Sequence, residues 1–188
     1  IDNSIRIYDK YIYTVTGTYE YKFKRVFTNT NSNTLSLNFG SFNTDELILV
    51  IHEDGTYELT SFDLSNRYKC NEIKHIGKFN SEQVISVVHY DGQSKSHYIK
   101  RFQIETSTTG KRFKFISEER GSKLLLVSVY ANPQLLFNYR LKNGDKRTKE
   151  ILLPEFIDVK GWRANGNKLA GYSRMSGFKI LEAHIEPK

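Results

Sequence analysis

Residues 47–59 read LILVIHEDGTYEL, and this pattern decides the fold. Leu47–Ile51 is an apolar, β-branched run of the kind found in a buried strand. Asp54-Gly55 is a strong hairpin signal, because tight turns need positive φ angles that glycine adopts readily. Tyr57 and Leu59 then alternate with polar residues, as they do on a returning strand. The stretch therefore predicts one antiparallel β-hairpin.

The same pattern is repeated along the chain. Gly17–Glu20 recurs letter for letter as Gly55–Glu58, thirty-eight residues later. Val50–Gly55 (VIHEDG) recurs as Val87–Gly92 (VVHYDG), thirty-seven residues later. A nearly constant period in this range is typical of arrays and propellers, in which each unit is a sheet too thin to be stable alone. The repeats indicate one hairpin used several times.

Alternating strands extend on both sides of these repeats. Upstream, Tyr11–Tyr13 and Tyr19–Phe23 alternate around a turn at Gly17, and the polar segment Thr28–Thr34 is predicted to be a loop. Asn143-Gly144 is another hairpin turn, fifty-two residues after Gly92, so the period lengthens. Further strands are predicted downstream at 84–88, 98–102, 112–116, 124–129, 135–139 and 178–181. We predict an all-β, propeller-like fold of about four antiparallel sheets, in a single domain over residues 1–188 without an internal linker.

Composition limits the class of protein. With 12 Tyr and 12 Phe among 188 residues, the chain has the make-up of a folded, β-rich protein. It lacks both a signal peptide and the run of roughly 20 apolar residues that a membrane helix needs. Cys70 is the only cysteine, which excludes an internal disulfide and fits a reducing compartment. Because the chain starts at Ile1 and its only methionine is Met175, we expect a piece of a longer polypeptide.

Charge is divided unevenly between the two halves. Residues 1–94 carry 9 basic and 12 acidic side chains, whereas residues 95–188 carry 19 basic and 9 acidic ones. The imbalance is greatest over residues 95–149, with 13 basic and 4 acidic side chains. Such asymmetry favours a polyanionic partner engaged mainly by the second half. The alternative is that lysines keep a β-rich surface soluble and protect its edge strands.

Catalytic patterns are absent from the sequence. His52 and His89 occupy equivalent positions in different repeats, so a shared metal is not predicted. Cys70 has no assignable base, and adjacent Glu118 and Glu119 would point to opposite faces of a strand. Gly161–Gly166 has no phosphate-binding loop pattern. We therefore predict no catalytic residue, no metal ion and no cofactor in this chain.

Cations that alternate with aromatic residues are the remaining functional signal. Lys100-Arg101 lies between Tyr98 and Phe102, and similar pairs recur on later strands. Arg140 and Lys142 are predicted to alternate on one face of a strand. On successive sheets they would form a belt that follows a phosphate backbone without reading bases, and no recognition helix is visible. The candidate DNA-binding residues are Lys100, Arg101, Lys111, Arg112, Lys114, Arg120, Lys123, Arg140, Lys142, Lys146, Arg147, Lys149, Lys160, Arg163 and Lys168.

A family resemblance rests on residues 156–169, FIDVKGWRANGNKL. This segment resembles the blade-closing segment in the strand-cleaving subunits of bacterial type IIA topoisomerases, where an apolar–acidic strand enters a glycine-punctuated loop. Residues 47–62 and 92–102 are similar to blade strands of that family. The whole resembles the C-terminal domain of the strand-cleaving subunit of DNA gyrase or topoisomerase IV from Bacteroidetes-type bacteria. The resemblance runs from about Leu47 to Leu181, and the first forty residues match less clearly.

The resemblance implies a β-pinwheel whose blades exchange strands and whose basic perimeter binds and wraps DNA. Lys160, Arg163 and Lys168 fall in its matching loop, where Trp162 is expected to pack between blades rather than to stack on a base. The family's strand-cleaving tyrosine lies in another domain, so none of the twelve tyrosines is expected to be catalytic, and this chain by itself is not expected to be an enzyme. The basic, glycine-rich heptapeptide that marks gyrase is not found, and gyrase and topoisomerase IV both stay open.

The resemblance also implies partners and a location. The expected partners are double-stranded DNA, the remainder of the strand-cleaving polypeptide and the separate ATPase subunit, with no membrane. ATP and Mg²⁺ are expected elsewhere in the parent complex, which would lie in the bacterial cytoplasm at the nucleoid. Two other classes stay open: a protein-interaction module using the acidic region 43–92, which has 9 acidic and 4 basic residues, and a secreted carbohydrate-binding β-domain.

Overall fold

The computed structural model describes residues 4–13, 19–27, 35–42, 45–61, 63 and 66–183, with side chains described from residue 45 onward except at 67 and 70. The strands are β1 (Ser4–Tyr13), β2 (Tyr19–Phe27), β3 (Leu35–Phe42), β4 (Ile48–His52), β5 (Thr56–Thr60), β6 (Arg67–Lys69), β7 (Ile73–Lys78), β8 (Ile85–Asp91), β9 (Ser96–Phe102), β10 (Phe113–Lys114), β11 (Lys123–Ser128), β12 (Pro133–Arg140), β13 (Lys146–Leu152), β14 (Asn167–Lys168) and β15 (Ser173–Glu182). A 3₁₀ turn, Cys70–Glu72, and one short helix, α1 (Leu153–Phe156), complete the described elements.

Four sheets are formed by these strands. Their orders are β3-β2-β1-β6, β10-β5-β4-β7, β11-β8-β9-β14 and β13-β12-β15. All strand pairs for which a register is defined are antiparallel. The prediction of an all-β, pinwheel-like fold of about four small antiparallel sheets is confirmed.

The second and third sheets each obtain their fourth strand from a later part of the chain. In the second sheet, β10 joins the β4–β5 hairpin although the β8–β9 hairpin comes before it in the chain. In the third sheet, β14 joins the β8–β9 hairpin although the β12–β13 hairpin comes before it. Each of these two sheets therefore borrows an edge strand from beyond the next hairpin.

The chain divides into two compact units. Unit 1 comprises Ile1–Glu53, Tyr57–Phe79 and Ser107–Phe113, and unit 2 comprises Asp54–Thr56, Asn80–Thr106 and Lys114–Lys188. The third and fourth sheets lie wholly in unit 2. Whether both units act as one DNA-binding domain stays a prediction.

The predicted hairpins are present. Strands β4 and β5 pair Ile51 with Tyr57, and the loop between them ends at Gly55, whose φ is +78°. Because β4 ends at His52 and β5 begins at Thr56, the loop has three residues, and of these only Gly55 has positive φ. The two-residue turn that the Asp-Gly signal favours needs positive φ at both of its residues and is not formed. Strands β8 and β9 pair similarly, from Ile85 with Phe102 to Asp91 with Ser96.

The upstream prediction is only partly covered by the described residues. Strands β1 and β2 pair in register up to Tyr13 and Tyr19, as two strands flanking a turn must. The predicted turn at Gly17 and the predicted loop Thr28–Thr34 lie outside the described residues.

Burial follows strand position. All five residues of β4 are buried, because this strand lies between β5 and β7 and is covered on both faces. In unit 2 one apolar cluster joins the third and fourth sheets through Val88, Ile99, Leu135, Phe137, Leu153, Ile157 and Leu169. In β12 the buried positions alternate, since one face packs on this cluster and the other faces outward.

The expected apolar–acidic strand at residues 156–161 is wrong. Pro154 stands in the first turn of α1, where its missing N–H costs nothing, and the helix ends at Phe156. The following residues pair with no strand, although the Lys160 amide donates to the Arg101 carbonyl oxygen at 2.9 Å. The segment is therefore a helix followed by a loop that attaches to the β9 backbone.

Candidate nucleic-acid interface

The outward face of the fourth sheet carries exposed cations. Antiparallel pairing places Arg140 directly opposite Lys146, at the end of the β12–β13 hairpin. Leu136 pairs with Lys179 on the other neighbouring strand, so Lys179 belongs to the same face as Arg140. Asn138 and Thr148 lie between these cations and are hydrogen-bonded to each other at 3.0 Å. This face combines cations with neutral polar groups, which suits contact with phosphate and sugar oxygens.

Strand β13 carries further cations on its other face. Arg147 pairs with Tyr139, and Lys149 pairs with Phe137, so both belong to the face opposite that of Lys146. All residues from 140 to 150 are exposed, because β13 is an edge strand paired only with β12. Two of the predicted cations thus lie on each side of the hairpin.

The turn of this hairpin is fixed by its own hydrogen bonds. The Leu141 amide donates to the Asp145 carbonyl oxygen at 2.9 Å, and the Gly144 amide donates to the Leu141 carbonyl oxygen at 3.0 Å. Arg140 Nη1 donates to the Gly144 carbonyl oxygen at 2.9 Å, which holds the guanidinium beside the turn. Lys142, which was predicted to alternate with Arg140 on the strand, instead lies in this turn.

Lys100 differs from the other candidates because its ammonium is inside unit 2. The residue is only 3% exposed. Its Nζ donates to the carbonyl oxygens of Phe115 and Trp162, the latter at 2.8 Å. Burial lowers the pKa of Lys100 to about 8, since the charged form loses hydration. In this arrangement the ammonium ties two loops to β9 and does not face a solvent-side phosphate.

Arg101 is also partly committed to the protein. Its Nη1 donates to the Ile157 carbonyl oxygen at 3.1 Å, and its Nε is buried without a partner. Desolvation lowers the pKa of this guanidinium. Arg101 thereby anchors the loop after α1, and only part of its donor set faces outward.

The loop after α1 and the strand β14 that follows it present three exposed cations of the family-matched segment. Lys160 Nζ donates to Asn167 Oδ1 at 3.3 Å, and the Arg163 guanidinium lies 4.8 Å from the centroid of the Trp162 ring. Lys168 is exposed on β14, opposite Tyr98. Trp162 is half-buried and its ring supports Arg163, so a cation and not a base occupies that ring. The loop and the fourth sheet both belong to unit 2.

The candidates before β11 are scattered. In unit 1, Lys111 Nζ lies 5.3 Å from the centroid of the Phe113 ring, and Arg112 Nη2 lies 3.7 Å from Glu58 Oε1. In unit 2, Lys114 Nζ donates to the Asp54 carbonyl oxygen. Arg120 is exposed in a turn and Lys123 begins β11, where it pairs with Tyr90. Lys114 and Arg112 thus already have partners within the protein.

Sequence reasoning missed two cations near the hairpin, Arg174 and Lys179. Both are exposed on β15. The predicted last strand, residues 178–181, contained Lys179, but its pairing with Leu136 could not be seen without the sheet order. A signal was present in Phe178-Lys179-Ile180, where a cation lies between two apolar residues.

A cleft of about 470 Å³ lies beside β9 in unit 2. His89, 3% exposed, lines it and stacks on Tyr98 with ring centroids 5.5 Å apart. Burial lowers the pKa of His89 to about 4, so the imidazole is neutral at neutral pH. Acids Asp91, Glu118 and Glu119 also line the cleft. In the described part of the chain, no group of three or more His, Cys, Asp or Glu side chains could hold a metal ion.

None of the described helices has the length and apolar character needed to cross a membrane.

Comparison with known families gives one match. Residues 29–175 match the family described as "Topoisomerase C-terminal domain, Bacteroidota". Searches of curated proteins and of solved structures found no match. The match covers most of the chain, and the chain belongs to this family of topoisomerase C-terminal domains. The resemblance inferred from residues 156–169 is confirmed at this level.

Proposed function

We propose that this topoisomerase C-terminal domain binds duplex DNA without sequence preference and supports wrapping of the duplex. The observation that carries the proposal is the β12–β13 hairpin, whose residues 133–152 carry five basic and two acidic side chains. Its cations are exposed on strands that are already paired, so little backbone entropy is lost when they meet phosphates. The acidic β4–β5 hairpin, residues 48–60, has three acids and no base, and we assign it no DNA contact.

Binding of this kind depends on counterion release. Each phosphate that a lysine or arginine neutralises releases condensed cations, and the affinity then falls steeply with salt. Six to ten such contacts predict a loss of about 10³- to 10⁵-fold in affinity between 50 and 200 mM salt. The described elements include no helix longer than one turn, so sequence readout by a recognition helix has no support here. We assign the contacts to Arg140, Lys142, Lys146, Arg147, Lys149, Lys160, Arg163, Lys168, Arg174 and Lys179.

Family membership supports a proposal for the parent activity. We infer that the chain is part of the strand-cleaving subunit of a bacterial type IIA topoisomerase, either DNA gyrase or topoisomerase IV, in the cytoplasm at the nucleoid. Strand cleavage would take place in the remainder of that polypeptide, and ATP hydrolysis with Mg²⁺ in the separate ATPase subunit. This chain would supply DNA binding, which sets how the duplex is presented to the cleavage site.

A salt series tests the proposal. Affinity for a duplex of mixed sequence is measured by fluorescence anisotropy at several salt concentrations. We expect a linear fall of log affinity with log salt, and a slope about 1.8 smaller for the variant Lys146→Gln/Arg147→Gln, since each residue removes about 0.9. The matched control is Lys69→Gln/Lys74→Gln in unit 1, where each lysine pairs with a glutamate at 3.0 Å.

The result decides between two functions. Equal slopes for the hairpin variant and the wild type would overturn the assignment of contacts to this hairpin, whereas absence of salt-dependent binding would overturn the DNA proposal. The protein-interaction alternative would then be favoured by the acidic region 43–92.

A further inference from the structure

The distribution of charge on β13 is two-sided. Consecutive residues of a strand point to opposite faces of a sheet. Lys146 lies on the face of Arg140, whereas Arg147 and Lys149 lie on the opposite face. All four are exposed, and within the described residues none of them pairs with an acidic side chain. The β12–β13 edge therefore presents positive charge in two opposite directions.

The cross-strand pair on one face is electrostatically unfavourable in isolation. Arg140 and Lys146 are directly opposite each other, and like charges in such pairs destabilise a sheet. The two acids of the hairpin do not offset this pair: Asp145 accepts from Asn143 Nδ2 at 2.9 Å, and Glu150 accepts from Gln134 Nε2 at 3.1 Å. An anion between Arg140 and Lys146 would turn their repulsion into a bidentate site.

We propose that the β13 edge and the 141–145 turn enter the major groove of duplex DNA, with the cations of the two faces contacting phosphates of the two opposite strands. This inference rests on the proposed function and specifies its geometry. Arg140 and Lys146 contact one backbone, and Arg147 and Lys149 contact the other. The contacts are to phosphates, so the insertion does not select a sequence.

Groove dimensions favour this geometry over flat docking. A sheet that lies flat on the DNA surface uses the cations of one face only and leaves the others in solvent. The major groove is about 12 Å wide and admits a two-stranded β-ribbon, whereas the minor groove is about 6 Å wide. In the fourth sheet, β13 and β15 are the two edge strands. Residues 146–150 of β13 are all exposed, whereas β15 contacts β11 and packs Phe178 and Ile180 against the apolar cluster. The β13 edge is therefore the one that two backbones can surround.

The first experiment compares the two faces. Arg140→Gln/Lys146→Gln and Arg147→Gln/Lys149→Gln are measured by anisotropy against salt on one duplex. We expect each pair to lower the slope by about 1.8, and the fourfold variant to lower it by about 3.6. Because all four residues are exposed, thermal melting should be nearly unchanged, which excludes misfolding. A loss confined to one pair means flat docking and overturns the proposal.

The second experiment tests the groove. A duplex containing glucosylated 5-hydroxymethylcytosine, whose sugar fills the major groove, is compared with the unmodified duplex. We expect the wild type to bind the modified duplex at least tenfold more weakly, and the fourfold variant to show little difference between the two. The minor-groove ligand netropsin should leave wild-type binding unchanged. Equal binding to both duplexes, or competition by netropsin, overturns groove insertion while leaving DNA binding intact. Absence of any salt-dependent binding instead refutes the proposed function.

Discussion

The β4–β5 and β8–β9 hairpins share one sequence pattern but carry opposite charges at one equivalent position. Val50 is paired with Glu58 in the first hairpin, and Val87, its counterpart in the repeat, is paired with Lys100 in the second. Each hairpin also buries a histidine at the same place, His52 or His89. The backbone pattern is thus conserved between the repeats, while the charge beside the histidine is inverted.

Each charge is used to hold a different segment. Glu58 Oε1 lies 2.9 Å from His52 Nε2 and 3.7 Å from Arg112 Nη2, and these contacts lower the pKa of the Glu58 carboxyl. Lys100 instead binds the backbone carbonyl oxygens of Phe115 and Trp162. Glu58 therefore contacts the side chain of Arg112, whereas Lys100 binds the backbone of two loops.

The residue just before each borrowed strand lies next to this charged position. Arg112 immediately precedes β10, which joins the first hairpin, and Gly166 immediately precedes β14, which joins the second. Gly166 has φ +87° and lies against the Ile99 carbonyl oxygen and the Lys100 side chain, where no other residue fits. A cation beside Glu58 and a glycine beside Lys100 let both borrowed strands approach. At this one position a half-buried acid and a buried lysine thus contact different segments, each close to the strand that completes its sheet.

The largest loss of stability is expected when Lys100 of the second hairpin is replaced by glutamate, the residue at the equivalent position of the first hairpin. Lys100→Glu would place a buried carboxylate against two carbonyl oxygens, at a cost of roughly 4 kcal/mol or more in the free energy of unfolding. Urea denaturation followed by the fluorescence of Trp162, the only tryptophan, measures it. The exposed control Lys95→Glu should change stability by less than about 0.5 kcal/mol. Wild-type stability for Lys100→Glu would mean that the two positions are interchangeable.

Gly166→Ala tests whether close approach or backbone conformation is the constraint. Its Cβ would collide with the Ile99 carbonyl oxygen, and we expect a loss of roughly 3 kcal/mol, from overpacking together with the strained φ. Gly144→Ala is the matched control, because φ is +93° there and nothing lies within 4 Å of the added Cβ. It should lose only about 1 kcal/mol, the cost of the φ angle. Equal losses in thermal or urea unfolding would exclude a packing role for Gly166.

Acid should weaken the second hairpin through His89. In the unfolded chain the His89 imidazole takes up a proton near the ordinary pKa of 6.5. In the folded chain burial lowers the pKa of His89 to about 4. The contribution of neutral His89 to the free energy of unfolding is therefore complete above pH 6.5. It is lost as the pH falls towards 4, by up to roughly 3 kcal/mol. The measurement is the difference between wild-type and His89→Gln unfolding profiles over that pH range, which cancels the carboxylates. Parallel profiles would show that His89 is not held neutral.

The smallest effect is expected at the first hairpin. Glu58→Gln keeps the shape but removes the charge that faces His52 and Arg112, and should cost about 1 kcal/mol at pH 7. The effect should be smaller at pH 3 than at pH 7, because the stabilisation from a carboxyl with a lowered pKa is present above the ordinary 4.5 and is lost progressively as the pH falls. Urea denaturation at both pH values measures the difference. A loss that persists at pH 3 would point to shape and not to charge.

Much of the fold could be predicted because it is local. The hairpins at 47–59 and 84–102 follow from β-branched runs and turn residues, and the turn at Asn143-Gly144 follows from the need for positive φ. The helix at Leu153–Phe156 was missed, because one turn around Pro154 leaves no helical period to detect. The borrowed strands β10 and β14 are two residues long, which is too short for any periodic signal.

The candidate site was predicted less well, for a physical reason. Counting cations located the basic half, but charge alone does not distinguish Lys146, which is exposed, from Lys100, which is buried among carbonyl oxygens. Lys179 was missed since its face is set by pairing with Leu136 on a distant strand. Burial and pairing are non-local, and a sequence window does not contain them.

The sequence by itself determined the repeated hairpins, the all-β class, the basic second half and, through residues 156–169, the family. These properties depend on residue type and short spacing, which the chain carries wherever it is folded. Tertiary structure decided which strand completes each sheet and on which face each cation lies. Those outcomes depend on packing between segments over fifty residues apart, such as Tyr57 with Phe113, and on the competition of each charge between water and buried partners.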